Sequence, residues 1–97
     1  MFRHVVLFTW TQDATQEQKQ ALHRGLATMP AAIREIRAYR CGPDSGLNPA
    51  NRDYAVVADF DGKEGYLAYR DHPAHRDLIE RFVNPIVAER ASVQFEY

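Results

Sequence analysis

Residues 2–11 alternate with a period of two, placing Phe2, His4, Val6, Phe8 and Trp10 on one side, and aromatic and β-branched types dominate the run. This predicts a strand. Val5 and Leu7 stand on its other side, so both faces of the strand call for cover. The period then lengthens. Leu22, Leu26 and Met29 form one stripe of a helix that Asp13 or Thr15 can cap, with Glu17 in its first turn and Pro30 closing it just past Met29. After a connection over 31–33, weak alternation predicts a second strand over 36–41, stopped by Gly42 and Pro43. The turn-forming residues of 44–53 predict a mobile surface loop.

The clearest strand follows at 54–60, broken by Asp61 and Gly62, and a short helix over 63–70 carries Tyr66 and Tyr69 on neighbouring parts of its surface. Pro73 suits a first helical position and pushes His72 out of helical geometry, so a new helix starts there. Its stripe is Ile79, Phe82 and Ile86, flanked by Leu78 and Val83, with His75 on the same side facing inward. Pro85 should kink or restart this helix before Glu89, and residues 92–97 should close the chain as a strand with Val93, Phe95 and Tyr97 on one side.

The resulting order, β-α-β-β-α-β with a split second helical region, is that of an α+β, ferredoxin-like protomer with a four-stranded antiparallel sheet. Helices cover only one face of such a sheet. Val5, Leu7, Ala55 and Val57 leave the other face apolar, and stacking against a second sheet resolves the mismatch.

Composition narrows the function. A chain of 97 residues fills one domain, 1–97, with no room for a second core. Twelve basic against thirteen acidic residues, net charge -1, leave no basic stripe for nucleic acid. No run approaches the roughly 20 apolar residues of a membrane span. The lone Cys41 cannot form an internal disulfide, and no secretory leader marks the start, so a soluble, cytoplasmic protein is expected. There is no glycine-rich phosphate loop and no nucleophile elbow, and Cys41 reads as a half-buried thiol.

The histidines remain. His4 is the polar exception on its strand face and His75 on its helix stripe, so both point into one core. Each could be a buried imidazole satisfied by backbone or water. Because two of them converge, they could instead include a neutral base, its proton affinity lowered by an apolar cleft. Tyr69 can reach the same place and offer a phenolic hydrogen bond, or can simply pack. His4, His72 and His75 would make a three-histidine zinc set, but the helix start between the last two is poor geometry for it and no metal or other cofactor is expected. His23 reads as solvent-facing.

His4-Val5-Val6-Leu7-Phe8, followed late in the chain by Tyr69-x-x-His72-Pro73-Ala74-His75, resembles the stress-responsive A/B barrel family, also called dimeric α/β-barrel or Dabb proteins. The likeness runs over nearly the whole chain. It implies a homodimer in which two ferredoxin-like sheets close a barrel, with a cleft for a small hydrophobic or polyketide-like ligand. Relatives of the olivetolic acid type of polyketide cyclase imply a cofactor-free aldol cyclisation or isomerisation. In that reading His75 is the general base, Tyr69 and His4 polarise carbonyls, and Phe8, Trp10, His72 and Phe82 bind substrate. The plant cyclase carries a further tyrosine where Leu26 stands here, so the resemblance does not imply the same substrate pocket. A non-catalytic stress-response or ligand-binding dimer is the alternative, since many members have no assigned reaction.

Overall fold

A computed structural model describes residues 1–97. The elements are β1 (Phe2–Trp10), α1 (Gln16–Ala27), α2 (Met29–Ala32), β2 (Ala38–Pro43), β3 (Tyr54–Phe60), α3 (Lys63–Asp71), α4 (Pro73–Leu78), a π-helical turn (Ile79–Val83) and β4 (Val87–Glu96). The sheet runs β2-β3-β1-β4, with every neighbouring pair antiparallel, and the fold is the ferredoxin-like α+β arrangement. No helix is long and apolar enough to cross a membrane.

Thr15, rather than Asp13, caps α1: its hydroxyl accepts the Gln18 N–H at 3.1 Å, while the Gln18 side chain accepts the Thr15 N–H at 2.9 Å. Leu22 and Leu26 are buried from this helix, and Met29 follows from α2. Pro30 does not end a helical segment; it sits in the first turn of α2, where a missing N–H costs nothing. Gly25 lets α1 approach the next layer closely, since a Cβ there would fall 2.8 Å from Leu78 Cδ1.

Two strands differ from the sequence expectation. β2 begins at Ala38 and runs through Gly42 and Pro43, because it is an edge strand whose outward side needs no N–H. β4 starts at Val87, not at 92, and the helix does not resume before Glu89. Asn84 N–H donates to the Ile79 carbonyl at 2.8 Å, completing the wide turn, and Pro85 cannot supply a continuing helical donor. The wide turn also changes which residues point inward. Leu78, Val83 and Ile86 are buried, whereas Ile79 and Phe82 are half-buried, because bonds closing five residues apart rotate the stripe predicted from 3.6-residue spacing.

The inner face of the sheet carries Val6, Phe8, Tyr54, Val56, Ala58 and Phe60, which pack beneath the helices with Leu22, Ile33, Val83 and Ile86. Only 16 of the 97 residues are buried, so much apolar surface lies outside this core. That surface is the outer face. Val5, Leu7 and Val57 are half-buried there, beside exposed Val93 (56%), Phe95 (45%) and Tyr97 (59%). An ion pair crosses the same face: Arg3 donates two hydrogen bonds to Asp59, at 2.7 and 2.8 Å, with its guanidinium 5.0 Å from the centre of the Tyr97 ring.

Candidate functional site

A partly open cavity of about 190 Å³ lies between the inner sheet face and the α3–α4 segment. His4 enters it from β1, Tyr66 and Tyr69 from α3, His75 from α4, and Arg90 and Ser92 from β4, while Val6, Phe8, Val56 and Leu26 belong to its walls. His4 stands on the inner row between Ala58 of β3 and Gln94 of β4. The small Ala58 leaves space above the strand, and the Tyr66 and Tyr69 rings occupy it, centred 4.8 and 6.2 Å from the imidazole.

Both imidazoles have one nitrogen committed to the protein, and the partners are of opposite kinds. Gln94 Nε2 lies 2.8 Å from His4 Nδ1. An amide N–H only donates, so Nδ1 is the acceptor and the ring proton sits on Nε2. His75 Nδ1 lies 3.1 Å from the carbonyl oxygen of Arg70. A carbonyl only accepts, so here Nδ1 carries the proton and Nε2 keeps its lone pair. Neither Nε2 has a protein partner, and the one buried side-chain polar atom left without a partner is Thr11 Oγ1, so both Nε2 atoms remain open to the cavity.

Electrostatics keep both rings neutral. Burial pushes the His4 imidazolium down to a pKa of about 4, with the neighbouring His75 acting in the same direction. Burial also lowers the proton affinity of His75, opposed by the Arg70 carbonyl and reinforced by Arg90 and His72. The cleft thus offers a free imidazole lone pair from α4 and an imidazole N–H from β1.

Tyr69 is buried, and its ring packs 4.2 Å from that of His75. Its hydroxyl lies 2.8 Å from that of Tyr39 on β2, a pairing not anticipated from the sequence. Burial pushes the Tyr69 phenol up to about 12 and the Tyr39 phenol higher still. His72 lies outside the cavity lining. Its Nδ1 accepts the Ala74 N–H at 3.0 Å and caps α4, with the extended backbone that a residue before proline adopts.

Of the other residues named from the sequence, Phe8 is on the cleft wall and two are elsewhere. Trp10 lies 5.6 Å from Tyr54, ring to ring, and borders a separate groove that includes His23. The His23 ring is exposed, as expected, but its Nδ1 is hydrogen-bonded to the Tyr54 hydroxyl. Phe82 turns toward Gly25 of α1 and borders a different groove, the consequence of the π-helical turn. Cys41 is half-buried and its thiol is pushed up to about 11, which suits a packing role. No three His, Cys, Asp or Glu side chains come together as a metal-holding group, so the three-histidine set does not assemble.

Arg90 was missed because it precedes the strand expected from residue 92, and Ser92 and Gln94, though inside that strand, were missed because only its Val93, Phe95 and Tyr97 side was singled out. Their period-two spacing was available as a signal once β4 is extended back to Val87.

Three comparisons bear on identity. A dimeric ferredoxin-like protein of unknown function from Thermobifida fusca is 43% identical, with a TM-score of 0.91 over 99% of this chain and 90% of its own. The stress-response A/B barrel domain-containing protein HS1 of Arabidopsis thaliana is 24% identical over 87% of this chain and 79% of its own length. A hydroxynitrile lyase from Passiflora edulis shares the fold, with a TM-score of 0.85 over 97% of this chain and 90% of its own, at 16% identity. The family model of the stress responsive A/B barrel domain matches residues 2–97, and with that match the chain belongs to the stress-responsive A/B barrel family.

Proposed function

We propose that the cleft catalyses proton transfer on a small carbonyl compound without a cofactor, as an isomerase-like or aldol cyclase-like site. The observation that carries this reading is the opposite kind of partner on the two Nδ1 atoms, the Gln94 amide N–H on His4 and the Arg70 carbonyl on His75. His75 Nε2 removes a proton from the carbon beside a carbonyl; the C–H electron pair forms the carbon–carbon double bond of the enolate while the C=O π pair moves onto the oxygen. His4 Nε2–H donates a hydrogen bond to the resulting enolate oxygen. The proton on His75 then returns to a second carbon in an isomerisation, or to the new alkoxide after carbon–carbon bond formation. Tyr69 acts as a positioning residue, since its ring packs on His75 while its hydroxyl is held by Tyr39.

The cavity volume, about 190 Å³, is below the roughly 300–1,000 Å³ usual for drug-sized ligands and favours a compact substrate over an extended polyketide. That a protein of this fold is named a hydroxynitrile lyase agrees with a lyase-like capacity in such a frame, without bearing on these residues. The setting we assign is a one-domain cytoplasmic homodimer, its apolar outer faces stacked, as suggested by exposed Val93, Phe95 and Tyr97 and by the 43% identical relative being described as dimeric.

The test is solvent deuterium uptake beside the carbonyl of small ketones, followed by NMR. Wild type should accelerate uptake over buffer and His75→Asn should not. Equal uptake by the two proteins removes His75 as the base. A second reading has its own observation: the His75–Arg70 hydrogen bond ties the end of α3 to α4, a purely structural duty within a ligand-binding dimer. Under it, His75→Asn lowers thermal stability and no ketone shows accelerated exchange in wild type.

A further inference from the structure

The cleft has an uneven charge lining. Two arginines border it, and no aspartate or glutamate does. Arg70 is already paired with Asp71, at 2.9 and 3.2 Å. Arg90 is in no ion pair, and it projects from the inner row of β4, opposite Phe8. A guanidinium facing a mostly apolar cavity without a carboxylate partner is a fitting receptor for one, because its planar fork binds carboxylates through two parallel hydrogen bonds.

We infer that the cleft selects compact keto acids, with Arg90 holding the carboxylate while the ketone end lies between His4 and His75. The inference rests on the proposed proton transfer and adds the substrate class. The three groups come from three elements, β1, α4 and β4, and define a three-point match: an N–H for the ketone oxygen, a lone pair for the adjacent C–H and a cation for the acid. A bound carboxylate would also neutralise Arg90, one of the groups that depresses the proton affinity of His75, so the anionic substrate strengthens the base that acts on it. A neutral ketone would not.

The probes are 4-oxopentanoate and its methyl ester, which share a ketone and differ in the carboxylate charge. Binding is followed by NMR titration, and deuterium uptake beside the ketone is followed in the same samples. Wild type should bind the acid about five- to tenfold more tightly than the ester, the size of a charge-assisted contact on a half-open rim. Arg90→Gln should erase that preference, and Arg90→Lys, a point charge without the fork, should keep part of it. Lys63→Gln, which removes the same charge away from the cleft, should leave the preference intact. Equal binding of acid and ester, a preference that survives Arg90→Gln, or no binding of either at millimolar concentration overturns the inference. His75→Asn separates the two levels: it should retain the acid preference while losing exchange. Acid-selective binding without exchange in wild type overturns proton transfer and leaves the anion site standing.

Discussion

Gln94 and His4, ninety positions apart, are joined by a hydrogen bond of 2.8 Å that ties an exposed strand residue to a buried imidazole. The bond decides which nitrogen of His4 carries the proton, and so what the ring presents to the cleft. Substituting Glu for Gln94 would place a carboxylate against Nδ1, attract a proton there and raise the His4 pKa from about 4 toward the ordinary histidine range. NMR titration of the His4 ring should show this rise. A His4 titration identical in wild type and Gln94→Glu would mean that the hydrogen bond does not govern the ring.

The depressed pKa values make stability depend on pH in a defined direction. His4 titrates near 4 when folded and near 6.5 when unfolded, so between these values the unfolded chain binds more protons. Stability is therefore full above about pH 6.5 and falls as the pH drops toward 4, with His4 contributing on the order of 3 kcal/mol across the window. His75 adds to the fall in the same direction. Urea unfolding at about pH 7.5 and about pH 4.5 should show the loss, and His4→Phe should flatten it. A slope unchanged in His4→Phe would reject the assignment.

The Tyr39–Tyr69 pair should behave as a unit. Removing one hydroxyl strands the other in a buried setting, at a cost of about 1–3 kcal/mol, whereas removing both costs less than the two single losses combined. Chemical denaturation of Tyr39→Phe, Tyr69→Phe and the double variant measures the coupling. Tyr69→Phe should retain most of the deuterium exchange, since the ring contact with His75 survives.

Self-association through the outer face is open to direct measurement. Phe95→Glu places a charge in the middle of the apolar row beside Val93 and Tyr97, and should shift a dimer to monomer at micromolar concentration in sedimentation velocity. Its inner core is untouched, so the variant should fold. A wild-type chain that sediments as a monomer at that concentration would refute the stacked-sheet homodimer.

The sequence carried the strands at 2–10 and 54–60 well, because each has inward residues at period two within a run rich in aromatic and β-branched types. His4, Tyr69 and His75 could be brought to one place for the same reason: strand and helix periods put each on an inward face. β4 was less legible. Residues 87–91 lack a hydrophobic row, since their inner positions border the cleft and their outer ones face away from the core, so only the ladder with β1 identifies them as strand. The partners that set the chemistry were hidden for a related reason. Gln94 and Arg90 depend on strand register, and Tyr39 on β2 meets Tyr69 across the fold; neither is a property of local sequence. The π-helical turn was likewise not legible, because Pro85 signals where the helix must end but not that its last turn closes from Asn84 to Ile79, and that turn redirected Phe82.

β4 alternates between two duties. Arg90, Ser92 and Gln94 look into the protomer, while Ala91, Val93 and Phe95 look out. Because the alternation is strict, point substitutions can alter the ligand side and the outer side of this strand separately, one residue at a time. An insertion or deletion of one residue near Ser92 would instead exchange the two rows, sending Phe95 toward the cleft and Gln94 outward. Across relatives, this strand should therefore change its two rows independently of each other but hold its length.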